Sequence, residues 1–139
     1  EETQGKVVYT DPDEAAEFVA RTGADSLAIG VGTAHGVYHG TPHIAIDRIE
    51  QIAAKVHVPL VLHGASGLSD DVIEAAIAAG IRKINFATQL RQAYTAGIKK
   101  GFELFPDAFD PKKYMPVAVD EIKKEVKRII ALCGAANRG

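Results

Sequence analysis

Apolar residues along this chain follow two patterns: three and four apart, as on one side of a helix, or in unbroken runs, as in a buried strand. The first helical stretch follows Thr10 and Asp11, either of which can cap it, with Pro12 in the first turn and Glu14 able to reach back. Ala15, Phe18, Val19 and Ala20 form its buried side, and Gly23 ends it. Residues 26–31 are continuous and apolar, which predicts a strand buried on both faces. Residues 37–42, with Gly40 and Pro42, read as a loop, and helical spacing returns over 43–56 at Ile46, Ile49, Ile52 and Ala53. Pro59 opens a strand over 60–63. Ser69 is placed to cap a third helix, with Asp70 and Asp71 in its first turn where the dipole favours them. Its inner side is Val72, Ile73, Ala76 and Ile77, and Gly80 stops it before a third strand over 81–86. Two helices close the chain. One has Leu90, Ala93, Tyr94, Ile98, Phe102 and Phe105 in or near its stripe. The other starts at Asp110-Pro111 and is marked by Val119, Ile122, Val126, Ile129, Ile130 and Cys133.

The order is therefore α-β-α-β-α-β-α-α. Strands joined by helices predict an α/β fold with a parallel sheet and right-handed crossovers. A (β/α)8 barrel needs eight strands in about 250 residues. A chain of 139 residues with three strands is then a small open α/β layer or part of a barrel. It opens on Glu1-Glu2-Thr3-Gln4-Gly5-Lys6, without an initiator methionine, which reads as the middle of a loop and leads us to expect a fragment.

Composition narrows the function classes. Hydrophobic residues at 47% and charged residues at 24% fit an ordinary globular domain. A net charge of −2 without a Lys/Arg cluster gives no reason to expect a nucleic-acid partner. No apolar run approaches the roughly 20 residues that span a bilayer, so no membrane role is expected. Cys133 is the single cysteine, so no intrachain disulfide can form, which fits a reducing, cytoplasmic setting.

Two histidine-glycine steps carry the chemistry. Gly32-Thr33-Ala34-His35-Gly36 follows the first strand, and His63-Gly64-Ala65-Ser66-Gly67 follows the second. The third strand ends in Asn85-Phe86-Ala87-Thr88. Polar groups at the C-terminal tips of strands are where α/β barrels keep their chemistry. Two imidazoles there suggest a shared metal or anion site, imidazole being the commonest metal ligand. The Gly64-Ala65-Ser66-Gly67 loop lets backbone N–H groups approach a phosphate, helped by the helix N-terminus that follows; the plainer reading is a tight turn needing positive φ. Asn85 is a candidate substrate contact, and Thr88 can cap the next helix or hold phosphate oxygens. His39, His43 and His57 read as loop or surface residues, Cys133 as core packing, and Lys83 as a strand residue rather than a Schiff-base lysine.

Taken together, these motifs resemble the class II ketose-bisphosphate aldolases, zinc-dependent (β/α)8 barrels that include fructose- and tagatose-1,6-bisphosphate aldolases. The resemblance extends over nearly the whole chain, including Tyr9-Thr10-Asp11-Pro12 and Asp110-Pro111-Lys112-Lys113-Tyr114, but only over the family's C-terminal half. It implies that residues 1–139 are a single partial domain, about three βα units plus terminal helices of a TIM barrel. His35 and His63 resemble two of three zinc-binding histidines. Gly36, Gly64, Ala65 and Ser66 resemble the loops that hold the phosphate of dihydroxyacetone phosphate. Asn85, Phe86, Ala87 and Thr88 resemble the segment completing that site, and Arg91 matches a position that in some members reaches the second phosphate from a neighbouring subunit, which implies a homo-oligomer. The third histidine and the proton-donating aspartate belong to the missing N-terminal half. His39 departs from those family members that carry lysine at this loop position.

The implied cofactor is Zn2+, with a monovalent cation as a further candidate. The implied reaction is reversible aldol cleavage of a phosphorylated sugar, in which zinc polarises the ketose carbonyl as a Lewis acid. This chain alone is expected to be inactive. Alanine at position 87, where fructose-type members often carry aspartate, points to tagatose-1,6-bisphosphate; Arg91 points mildly to fructose-1,6-bisphosphate. Two other classes stay open: a non-catalytic half-barrel or phosphate-binding module, and another zinc barrel such as a hydrolase.

Overall fold

The computed structural model describes residues 9–38 and 40–138. The elements are α1 Pro12–Thr22, β1 Leu27–Ala28, α2 Ile46–Ala53, β2 Leu60–Leu62, α3 Asp70–Ala79, β3 Ile81–Ile84, α4 Thr88–Leu104 and α5 Pro111–Leu132, in the predicted order. They fall into two compact units, Glu1–Phe86 and Ala87–Gly139. Among the described residues no helix is long and apolar enough to cross a membrane.

In the first unit the strands form one parallel sheet in the order β1-β2-β3. The central strand β2 is buried along its whole length, as a parallel strand covered on both faces must be. Among the described residues the largest fully buried side chains are Ile49, Ile52, Leu60, Leu62, Ile73, Ile81 and Val31. β1 departs from expectation. Ile29 and Val31 are buried while Ala28 and Gly30 are exposed, so only one face is covered. Successive side chains point to opposite faces, and a strand at the edge of the sheet has cover on one of them.

Backbone donors set the remaining boundaries. Thr10 does not cap α1: its backbone N–H donates to Gly30 O at 2.8 Å, and its Oγ1 accepts from Gly30 N at 2.8 Å. The cap is Asp11, whose carboxylate accepts from the backbone N–H of Asp13 and of Glu14 at 2.8 and 3.2 Å. Those two N–H donors hold its pKa below the ordinary carboxylate value. α2 begins later than its apolar spacing suggests, because Ala45 N–H is committed to Val31 O at 3.0 Å, which keeps residues 43–45 beside the first strand. Ser69 occupies the cap position of α3 but makes no capping bond; its hydroxyl instead lowers the pKa of Asp71 by hydrogen bonding its carboxylate.

The second unit is the antiparallel pair α4 and α5, and its contact is made by small residues. The predicted stripe of α4 is only half-buried or exposed, with Phe102 at 46% and Phe105 at 42%. The residues buried on α4 are Gly97 and Gly101. A Cβ on Gly97 would lie 2.4 Å from Ala118 Cα, and one on Gly101 would lie 2.8 Å from Tyr114 Cβ. Glycines one turn apart thus meet Tyr114 and Ala118, one turn apart on α5, and the backbones approach closely. On α5 itself, Ala118 and Ile129 are buried while Val119, Val126 and Ile130 are 36–41% exposed.

Gly97→Ala therefore sets two effects against each other. Alanine gains about 1 kcal/mol of helix propensity over glycine. Its methyl meets backbone that cannot rotate away, and such overpacking costs about 1–3 kcal/mol. We expect net destabilisation in a denaturant titration; a variant more stable than the parent would show that the helices can separate freely.

Candidate active site

The site is built where the parallel strands end. His63 follows β2 directly, and Asn85 follows β3. Asn85 N–H donates to Leu62 O at 3.0 Å, which sets the two side chains at the same level. Asn85 Nδ2 lies 3.5 Å from His63 Nε2. His35 arrives on the loop after β1, and its ring meets that of His63 edge-on, with centroids 5.6 Å apart and planes at 90°. His35 is exposed, while His63 and Asn85 are half-buried. The structure thus brings His35, His63 and Asn85 to one end of the sheet, within reach of one small ligand.

The donor set fits a shared metal ion. Zinc binds imidazole nitrogen at about 2.0–2.1 Å in tetrahedral geometry, which puts two ligating rings roughly 5 Å apart, centre to centre. The observed separation of 5.6 Å is compatible with that arrangement. Among the described residues no group of three His, Cys, Asp or Glu side chains could hold a metal. The pair would therefore need a further ligand from elsewhere to reach the three protein ligands of a catalytic site.

The second histidine loop is tightly constrained. Gly64 has φ +64°, and a Cβ there would lie 2.4 Å from Ala34 O, so the two histidine loops touch backbone to backbone at this glycine. Ala65 is fully buried and Ser66 is 8% exposed. Leu68 N–H closes the turn on Ala65 O at 3.2 Å. Gly36 has φ +98° and open space around it. The N-terminus of α3 is a weaker phosphate partner than its sequence position suggests, because Asp70 and Asp71 already compensate its dipole. An anion held at this loop must rely on the N–H groups of the loop itself.

The remaining predicted residues occupy simpler positions. Phe86 is half-buried. In the second unit Ala87, not Thr88, takes the cap position of α4; Thr88 is the first helical residue and Arg91 lies exposed in the first turn. Capping needs the residue just outside the helix, and the backbone turns helical one residue earlier than that role for Thr88 requires. His43 and His57 are exposed, and His39 lies outside the described residues. Burial raises the pKa of Cys133, as suits a packed thiol rather than a nucleophile.

Two site residues escaped the sequence reading. Lys83 Nζ donates to Asn85 Oδ1 at 2.8 Å. The two are two apart along the strand direction and share a face, so the period-2 rule could have found the pair. Tyr38 is the other. Its hydroxyl accepts from Ala34 N at 2.9 Å and donates to Gly64 O at 2.8 Å.

A parallel sheet that gathers two imidazoles and an amide at its carboxyl end, above a small-residue loop, has the architecture of a barrel enzyme site. The chain belongs to the class II fructose-bisphosphate aldolase family, whose family model matches residues 1–138. It is similar to the YdjI aldolase from Escherichia coli K12, with 42% identity, a TM-score of 0.85, and coverage of 94% of this chain and 47% of that one. A Coccidioides immitis protein proposed to be a fructose-1,6-biphosphate aldolase is 26% identical with a TM-score of 0.82, over 94% and 45% of the two chains. Fructose-bisphosphate aldolase (Fba) from Campylobacter jejuni shares the fold at a TM-score of 0.80 and 19% identity, over 94% and 46%. The chain spans about half the length of each of these structures. Its fold is accordingly that of the C-terminal part of a TIM barrel.

Proposed function

We propose that this chain supplies two zinc ligands, His35 and His63, and the phosphate loops of an aldolase that reversibly cleaves a ketose 1,6-bisphosphate to dihydroxyacetone phosphate and glyceraldehyde 3-phosphate. The observation that carries the reading is the meeting of the two rings at 5.6 Å in a chain of this family. Zinc, when bound, supplies Lewis-acid polarisation of the ketose carbonyl. The residues of this chain bind and orient. Gly36 and the Gly64-Ala65-Ser66 loop offer backbone N–H groups to the phosphate, and Asn85 faces the reacting end of the substrate beside His63. Phe86, Ala87 and Thr88 complete the substrate segment. Arg91 reaches a second phosphate across a homo-oligomer contact. The N-terminal half of the barrel contributes the third histidine and the aspartate that transfers the proton.

The test is aldol cleavage by a complete barrel containing this segment, beside the 139-residue chain alone. We expect zinc-dependent cleavage, abolished by a strong chelator, from the first and none from the second. A full barrel that binds the bisphosphate without cleaving it would favour the phosphate-binding module. Tagatose-1,6-bisphosphate is the expected better substrate, because a carboxylate at this position could accept a hydrogen bond from the hydroxyl of one C4 epimer and Ala87 cannot. Ala87→Asp should move kcat/KM toward fructose-1,6-bisphosphate. A parent preference for the fructose epimer of tenfold or more, about 1.4 kcal/mol in transition-state binding, would overturn the tagatose choice and leave the aldolase reading standing.

A further inference from the structure

We propose that Tyr38 is a positioning residue for the two histidines, its hydroxyl setting the separation of the loops that carry them; the proposal rests on the zinc reading above. Each of its hydrogen bonds falls next to one histidine. The donor at 2.9 Å is the N–H of Ala34, which precedes His35, and the acceptor at 2.8 Å is the carbonyl of Gly64, which follows His63. A phenol has one proton to give, so donating to Gly64 leaves the oxygen lone pairs for Ala34, and the hydroxyl is satisfied in both senses. The ring is fixed as well. A Cβ on Gly67 would lie 3.2 Å from Tyr38 Cδ2, so the loop after His63 closes against the tyrosine ring.

The sheet does not do this work by itself. The ladder between the first two strands closes with Ile29 N–H on Val61 O at 3.3 Å. His35 lies well beyond that bond, on a loop whose direction the strands no longer set, whereas His63 is held at the end of β2 by the Asn85 N–H on Leu62 O at 3.0 Å. A metal tolerates ligand distances within about 0.2 Å of ideal, so two rings can share an ion only if their loops are held to each other. The Tyr38 hydroxyl ties the loops at the residues adjoining the rings, and the Gly64–Ala34 backbone contact sets how near they come. Side-chain groups that orient metal ligands from behind typically change metal affinity by about 10–100-fold when removed.

Tyr38→Phe keeps the ring against Gly67 and deletes only the hydroxyl. In the complete barrel, competition with a chromophoric chelator should show the zinc dissociation constant rising about tenfold or more, within that range. The metal-free variant should keep its circular dichroism, and its melting temperature should move little. Tyr38→Leu should weaken zinc at least as much, while the parent and a Tyr94→Phe control, whose lost hydroxyl served Met115 Sδ at 3.2 Å, stay alike. A Tyr38→Phe variant whose zinc affinity is within twofold of the parent's would sink the proposal and leave the zinc reading intact. A variant unfolded without metal would also count against it, since the hydroxyl would then be holding the fold rather than the ligand pair. A parent that takes up no zinc would remove the zinc reading, and this proposal with it.

Discussion

His63→Ala and His35→Ala should each strip the completed barrel of zinc and of aldol cleavage, while His57→Ala leaves both nearly unchanged. A catalytic zinc has three protein ligands, and removing one leaves two, too few to retain the ion against dilution. Changes behind the ligands already cost about 10–100-fold in metal affinity or activity, so loss of a ligand should cost more than about 100-fold. His63 carries a second duty through its 3.5 Å approach to Asn85, which makes His63→Ala the more damaging of the two. His57 is the fair control because it is exposed in the connection between α2 and β2. Metal analysis of dialysed protein and a coupled cleavage assay read the two effects separately. Undiminished zinc stoichiometry in either His35→Ala or His63→Ala would remove that residue from the ligand set.

How much of this was legible in the chain follows from the range of each interaction. The element order was legible because amphipathic spacing and glycine stops are local, and the strand-tip histidines because a polar residue ending an apolar run marks the carboxyl end of a parallel strand. The edge exposure of β1 was not, since Ala28 and Gly30 are apolar or small enough to sit on either side of a sheet. Thr10 looked like a helix cap because threonine at that position normally is one; its partner, Gly30, is 20 residues away. Tyr38 meets Gly64 across 26 residues, with nothing in its neighbours to announce it. Gly97 and Gly101 were passed over for the bulkier Phe102 and Phe105, yet the helices meet at the glycines because only there can the backbones come close.

Gly64→Ala should be among the most damaging single changes in the first unit, and Gly23→Ala shows why. The two glycines have nearly the same φ, +64° and +66°. An alanine in either place incurs the left-handed penalty of roughly 1–2 kcal/mol. Around Gly23 nothing lies within 4 Å, so that penalty is the whole cost. At Gly64 the new methyl meets Ala34 O at 2.4 Å and Ala34 C at 2.9 Å, backbone atoms that move only if the His35 loop moves. Overpacking of this kind adds about 1–3 kcal/mol, for a total of about 2–5 kcal/mol, a large part of the 5–15 kcal/mol that holds a typical domain. The displacement also falls where Tyr38 joins the loops, so zinc should be lost along with stability. Guanidinium titrations of both variants give the difference directly, and zinc uptake at a temperature where both remain folded gives the second effect. Equal destabilisation of Gly64→Ala and Gly23→Ala, with zinc retained in both, would mean that the histidine loops are free to part and that the close contact at Gly64 does not set the site.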